Sequence, residues 1–346
     1  MGDVMSQKII VTGGTGYIGS HTTVALQTAG YDVVVFDNLS NSNVSSLDGV
    51  AKITGKRPEF VNVDCASVDD IRSAFALHSD AVGVIHFAAL KAVGESVDMP
   101  LLYYRNNLNG LINVLDMMRE FNIKNIVFSS SATVYGVPEK LPVTEQTPLQ
   151  PATSPYGQTK VMGENIIRDT VRAYSQIRAT LLRYFNPIGA HPSGHIGELP
   201  NGVPNNLMPY ITQTVAGIRP FLNVFGDDYD TPDGYCVRDY IDVNDLARAH
   251  VSALDYMINN SDADGVGVFN LGTGRGVSVM ELVRTFEAAT GLTVPYKIAP
   301  RRAGDVPAIW ADASLAARVL NWHAEIPLTE TLASAWRWQQ NVFNKN

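Results

Sequence analysis

The sequence predicts an α/β fold built on a doubly wound parallel sheet, followed by a smaller mixed α/β domain. Three observations predict it: strand and helix patterns alternate through the first half, the strands are apolar along nearly their whole length, and this texture stops near residue 185. Strands without polar alternation belong to sheets buried on both faces, and strand–helix alternation makes such sheets parallel. At 346 residues the chain is too long for one small core, given roughly 150 residues per domain.

Short β-branched runs at 8–12, 32–37, 59–64, 82–87, 125–130 and 179–185 are the six predicted strands of the first half. Between them, apolar residues recur at helical spacing over 16–29, 44–54, 68–78, 101–121 and 156–174. From 186 to 209 the chain is dense in Pro, Gly, Asn and His, the composition of a boundary and a long functional loop. Helices are then expected at 206–217, 243–259, 278–290 and 328–340, with a short strand at 268–271 that either rejoins the sheet or stays with its neighbours. The expected division is 1–185 and 186–346, with some later segments returning to the first part.

Lysine and arginine number 26 against 34 aspartate and glutamate, a net charge of −8 with no basic run, which excludes a nucleic-acid footprint. An anionic ligand must then be held by local groups against the overall field. The only cysteines, Cys65 and Cys236, cannot form a disulfide framework, which fits a reducing compartment such as the cytoplasm. No apolar stretch reaches the roughly 18 residues that span a bilayer, and the N-terminus lacks the pattern of a secretion signal. Met1-Gly2-Asp3-Val4-Met5-Ser6 matches a loose acylation pattern without a polybasic partner, so an ordinary tail is expected there.

Gly13 and the string Gly14-Thr15-Gly16-Tyr17-Ile18-Gly19 follow the first strand and open the first helix. That is the setting of a Rossmann-type dinucleotide turn, where glycines let the backbone approach a pyrophosphate held by the free N–H groups of the helix start. Asp37 ends the second strand, where a carboxylate accepts hydrogen bonds from ribose hydroxyls and repels a 2′-phosphate. Asn38-Leu39-Ser40-Asn41-Ser42-Asn43 contains no Arg or Lys to receive one, so NAD is expected rather than NADP.

Tyr156 and Lys160 stand four apart, on one face of the helix they begin. A phenol is a poor base at neutral pH, and a nearby ammonium or a positive nicotinamide ring favours the phenolate, which then accepts a hydroxyl proton. A surface pair is the competing reading. The string Ser129-Ser130-Ser131-Ala132-Thr133 ends the fifth strand at the ligand-binding edge of the sheet, where its hydroxyls either relay the proton or cap a turn.

These residues stand alongside Phe87-Ala88-Ala89-Leu90-Lys91-Ala92-Val93-Gly94-Glu95-Ser96, Leu182-Arg183-Tyr184-Phe185-Asn186-Pro187, Pro204-Asn205-Asn206-Leu207-Met208-Pro209-Tyr210, Val237-Arg238-Asp239-Tyr240 and Pro300-Arg301-Arg302-Ala303-Gly304-Asp305. With them, the chain resembles, over about 8–338, the UDP-hexose epimerases of the extended short-chain dehydrogenase/reductase family. The resemblance implies Tyr156 as the base, Ser131 as its hydroxyl partner, and Lys160 as holder of the nicotinamide ribose that also lowers the tyrosine pKa. It places Gly13, Gly16, Tyr17, Ile18, Gly19, Asp37, Asn38, Leu39, Ser40, Asn41, Ser42, Asp64, Cys65, Phe87, Ala88, Ala89, Leu90, Lys91, Asn106 and Phe185 along the cofactor. It places Ser131, Thr133, Tyr156, Asn186, Asn206, Leu207, Asn223, Phe225, Arg238, Tyr240, Arg302, Asp305 and Ile309 around the UDP-hexose, with the arginine forks suited to a diphosphate. The implied activity is the reversible interconversion of UDP-galactose and UDP-glucose by transient NAD-dependent oxidation at C4, rotation of the 4-keto sugar and re-reduction. A homodimer formed through helices 101–121 and 156–174 is also implied; burial of both within one subunit is the alternative.

Some relatives carry tyrosine where this chain has Ile309, so room for N-acetylated sugars is expected. Two rival readings are a nucleotide-sugar 4,6-dehydratase and a non-catalytic NAD-binding regulatory protein. Related dehydratases carry an Asp-Glu pair where Ala132 and Thr133 stand, and a regulator has no need of Tyr156 with Lys160. Pro192 and Gly194 break any helix that would align His191 and His195, so no metal is expected. Trp310, Trp322, Trp336 and Trp338 are expected to pack in the core or at an interface.

Overall fold

The computed structural model describes residues 6–204, 206–260, 265–302 and 305–343. Residues 1–5 of the acylation pattern, together with Asn205, Ala303 and Gly304 of the quoted motifs, lie outside the described residues. The chain runs β1 (Lys8–Thr12), α1 (Tyr17–Thr28), β2 (Asp32–Asp37), α2 (Ser46–Thr54), β3 (Glu59–Asn62), α3 (Val68–Leu77) and β4 (Gly83–His86). Then come α4 (Val93–Asp98), α5 (Pro100–Glu120), β5 (Asn125–Ser131), α6 (Pro155–Ala173), β6 (Arg178–Tyr184), β7 (Asn186–Ile188), α7 (Leu207–Val215) and β8 (Leu222–Phe225). The remainder is β9 (Val237–Arg238), β10 (Tyr240–Asp242), α8 (Val243–Asn259), β11 (Val266–Leu271), β12 (Val277–Ser278), α9 (Val279–Thr290), β13 (Tyr296–Ala299), β14 (Ala308–Ile309), α10 (Ser314–Leu320) and α11 (Leu328–Phe343).

One seven-stranded sheet, ordered β11-β6-β5-β4-β1-β2-β3 with every pairing parallel, forms the centre. The first half supplies six of these strands, and the seventh is the strand expected at 268–271. It begins earlier, at Val266, and covers the free edge of β6 with Phe269 opposite Leu182. Packing of α8 against α1 carries the chain back to that edge.

Both faces are dry, as apolar strands require. On one face Ile10, Val84 and Ile126 meet Phe75 of α3, Leu111 and Met118 of α5 and Ile167 of α6. On the other, Ile9, Val35 and Val127 meet Leu26 of α1, Leu254 of α8 and Trp322. A third cluster, with Met208, Leu222, Val283, Phe286 and Leu332, holds α7, β8, α9 and α11 together. The chain leaves β1 toward β2 and β3, then returns to β4 on the other side of β1. That reversal opens a crevice beyond the carboxyl ends of β1 and β4.

The helices α4 and α10 and the two- to four-residue strands of the later half fall outside the predicted elements. Segments this short show no periodicity to read.

Candidate functional site

The crevice begins at the glycine turn. Gly13 has φ +69°, and a Cβ there would stand 2.8 Å from the Ala88 nitrogen; one at Gly19 would stand 2.3 Å from the Gly13 carbonyl oxygen. Only bare backbone brings strand, turn and helix this close. Gly16 caps α1 without a side-chain bond and no acid occupies the first turn, so the helix-start N–H groups remain open to an anion. The buried Asp37 carboxylate accepts from Thr15 N (3.2 Å), Leu39 N (2.9 Å) and Ser42 Oγ (3.0 Å), which fixes its direction at the end of β2.

A cavity of about 300 Å³ extends from this turn along the strand ends. Gly13, Gly16, Tyr17, Ile18 and Gly19 line its floor, and Asp37, Asn38, Ser40, Asn41, Ser42, Asp64 and Cys65 line one end. The other end is lined by Phe87, Ala88, Ala89, Leu90, Lys91, Asn106, Ser131, Tyr156, Lys160 and Phe185. Leu39 is the exception: it adopts φ +58° and contributes its N–H to Asp37, with its side chain away from the cavity. The structure adds Ser129, Tyr184 and Pro187 to this wall, each from a motif quoted above but without an expected site role of its own.

Ser154 caps α6 by accepting from Gly157 N (3.1 Å), and Pro155 fixes the first turn, so Tyr156 enters the cleft at the helix start. Its phenol and the Ser131 hydroxyl at the end of β5 line the same cavity. Burial pushes the Tyr156 phenol above its ordinary range, while the Ser131 hydroxyl pulls the other way. Lys160 is buried, and its Nζ donates to the Ser129 carbonyl oxygen at 2.7 Å while standing 5.8 Å from the Tyr156 ring centre. Burial lowers the lysine to about 8. In the protein alone, burial is the largest influence on both groups, and the Lys160 ammonium is turned to a backbone carbonyl.

A second cavity, of about 390 Å³, is lined by Asn186, Asn206, Leu207, Asn223, Phe225, Arg238, Tyr240, Arg302 and Asp305. Asn186 and Asn206 border both cavities. Asp305 holds the two arginines side by side: it takes Arg302 in a fork (3.0 and 3.2 Å) and stands 3.7 Å from Arg238, while the Arg302 guanidinium lies 4.8 Å above the Phe225 ring. Four expected substrate residues do not border this space: Ser131 and Tyr156 line the first cavity, and Thr133 and Ile309 line neither. Thr133 sits in the short 3-10 turn after β5, its side chain beside Gly157 at the start of α6. Ile309 is 8% exposed and packs among Ala132, Val134, Tyr135 and Phe185, because its short strand pairs with β9 behind the cavity wall.

Around the site, His191 closes a local turn with Ser193 (Nδ1 to Oγ 2.8 Å), and no three metal-ligating side chains converge among the described residues. Trp322 is buried, Trp336 meets Phe286 edge-on, Trp338 donates to the Glu198 carbonyl (2.9 Å), and the Trp310 carbonyl accepts from Val143 N. Both cysteines are free and buried, and burial pushes the Cys65 thiol up to about 12. No helix among the described residues is long and apolar enough to cross a membrane.

Residues 10–335 match a family model described as GDP-mannose 4,6 dehydratase. Among curated proteins, a UDP-glucose 4-epimerase of Bacillus subtilis (strain 168) is 54% identical over 336 residues, covering 97% of this chain and 98% of the relative. One of Bos taurus is 50% identical over 342 residues, covering 97% of each chain. Among solved structures, the UDP-glucose-4-epimerase from Stenotrophomonas maltophila with bound NAD and formylated UDP-arabinopyranose superposes with TM-score 0.94 at 46% identity, over 98% of this chain and 100% of that one. The enzyme from Bifidobacterium longum in complex with NAD+ and UDP gives 0.93 at 47%, over 98% and 100%. With half of its residues or more shared along nearly its whole length, the chain belongs to the UDP-glucose 4-epimerase family of extended short-chain dehydrogenases/reductases.

Proposed function

We propose that the chain interconverts UDP-galactose and UDP-glucose as an NAD-dependent isomerase acting at sugar C4. The observation that carries this reading is the meeting of two cavities: the cleft holding Tyr156, Ser131 and Lys160 adjoins the arginine-lined cavity, with Asn186 and Asn206 bordering both. The bare glycine turn, the acid-free start of α1 and the oriented Asp37 carboxylate fit NAD. When bound, NAD supplies the reversible two-electron acceptor that oxidation at an unactivated sugar carbon requires.

The chain's own residues do the rest. Gly13, Gly16 and Gly19 admit the pyrophosphate, Asp37 takes ribose hydroxyls, and Asp64 and Cys65 flank the adenine end. Tyr156 accepts the 4-hydroxyl proton with Ser131 as its hydroxyl partner, and Lys160 holds the nicotinamide ribose. Burial keeps the proton on Tyr156 at rest, so a cationic group brought into the cleft shifts the balance toward phenolate. Arg238 and Arg302 grip the diphosphate, while the hexose turns in a looser space and is reduced from its opposite face. Residues 1–185 then form the cofactor part and 186–346 the nucleotide-sugar part, with α8 and β11 rejoining the first.

A 4,6-dehydratase also needs acid and base groups for C5 and C6, and Ala132 and Thr133 offer none. A purely regulatory role leaves the assembled Tyr156, Ser131 and Lys160 without a use. Exposed Val93, Val97, Met99, Leu101 and Ile112 along α4 and α5 support a homodimer, since α5 and α6 already bury their inner faces within one chain. A cytoplasmic location agrees with the two free cysteines. Turnover of UDP-galactose deuterated at C4 tests the chemistry: the label stays at C4 of UDP-glucose, and its loss to solvent would contradict the reading.

A further inference from the structure

Glu198 is an acid in the wrong place for a site whose ligands are both anionic. It lies on the long loop after β7, with an 11% exposed side chain, and its carboxylate is committed on two sides. Oε1 accepts from Asn206 Nδ2 (2.5 Å) and stands 3.8 Å from Lys91 Nζ. The loop is anchored behind it, where the Glu198 carbonyl accepts from Trp338 Nε1 and a Cβ at Gly197 would stand 2.4 Å from the indole. Burial pushes the Glu198 carboxyl above its usual range, and Lys91 and Asn206 pull it back. A buried carboxylate is retained only when such partners hold it.

Its two partners belong to different halves of the site. Lys91 lines the cofactor cleft. Asn206 borders both cavities and starts α7, whose Leu207 lines the arginine-bearing cavity. A cavity of about 310 Å³, bordered by Lys91, Glu198 and Asn206, leaves this junction room to adjust.

We propose that Glu198 is a positioning residue coupling the two halves: a nucleotide sugar seated against Asn206 fixes the Glu198 carboxylate, which fixes Lys91 and tightens the hold on the dinucleotide. The proposal rests on the reading of one cavity as the UDP-hexose site and the other as the NAD site. Coupling of this kind is reciprocal at equilibrium, so NAD tightens UDP by the same factor.

The test measures NAD dissociation and affinity on the full chain, with and without saturating UDP. In the wild type UDP strengthens NAD retention by about fivefold or more. Glu198→Ala brings that ratio close to one. Glu198→Gln keeps an acceptor for Asn206 but loses the charge facing Lys91, so its ratio is intermediate and matches Lys91→Met, and the double variant falls no further. An unchanged ratio in Glu198→Ala overturns the proposal, as does a lowered Tm with the ratio intact, which marks a purely structural residue. A wild-type ratio of one also overturns it. Failure of the underlying reading is distinct, because the wild type would then not convert UDP-galactose at all.

Discussion

Lys160 Nζ donates to the Ser129 carbonyl oxygen at 2.7 Å, at the foot of the strand end that presents Ser131 to Tyr156. Helix α6 is tied to β5 again one turn later, where Glu164 accepts from Ser130 Oγ (2.6 Å) and from Arg183 of β6 (2.8 and 2.6 Å). The phenol and its hydroxyl partner are thus set by two successive cross-links between the same helix and strand.

Burying the Lys160 ammonium costs stability. Its folded pKa, about 8, lies below its unfolded 10.5, so between these values the unfolded chain binds more protons and stability rises with pH; below about 8 the full cost is in force. Lys160→Met is therefore expected to stabilise the cofactor-free protein at pH 7, by up to about 3 kcal/mol. It is also expected to lower kcat by about 100-fold or more. Urea unfolding at pH 7 and at pH 10, together with turnover, checks both; a destabilised variant at pH 7 would contradict the burial argument.

Arg238 is held beside Arg302 by the shared Asp305 carboxylate. Charge-assisted bonds to a diphosphate are worth about 1.5–3 kcal/mol each, so Arg238→Met raises KM for UDP-galactose by about tenfold or more. On the proposed reading Arg238 meets the diphosphate alike in ground and transition states, so kcat is expected to change little. Steady-state kinetics decides this, and a fall in kcat at constant KM would place Arg238 in the chemistry instead.

Ile309 packs in one apolar cluster with Phe185, which lines the Tyr156 cleft, and does not itself line a cavity. Ile309→Tyr overfills this cluster and costs about 1–3 kcal/mol. The displaced wall narrows the hexose space, so turnover of UDP-N-acetylgalactosamine falls more than that of UDP-galactose. Unchanged selectivity with lowered Tm would confine Ile309 to packing.

Val97 and Leu101 are 59% and 67% exposed on the α4–α5 face. Replacing both by lysine is expected to shift a dimer to monomer in sedimentation velocity while leaving the Tyr156 cleft folded. A wild type that sediments as a monomer would refute the dimer reading.

The glycine turn and Tyr156 with Lys160 were legible because each is a local pattern whose chemistry follows from spacing along one element. The sheet was legible for the same reason, its inner strands announcing themselves by apolar runs such as Ile9-Ile10-Val11 and Val33-Val34-Val35-Phe36, although edge strand β3 is half polar. What sequence could not supply is juxtaposition. Nothing about Glu198 in its Pro- and Gly-rich loop indicates that it reaches both Lys91 and Asn206. Nor does the motif containing Lys160 reveal that a backbone carbonyl takes its charge. Leu39, Thr133 and Ile309 were expected at the site yet line neither cavity; they sit in a turn, a 3-10 segment and a two-residue strand.

Epimerisation at C4 is checked by incubating the purified protein with UDP-galactose, without added cofactor, and resolving the products. UDP-glucose is expected to appear, with the same final ratio reached from either sugar and no net formation of NADH. A 4-keto-6-deoxy product, or no conversion even after NAD is added, would contradict it.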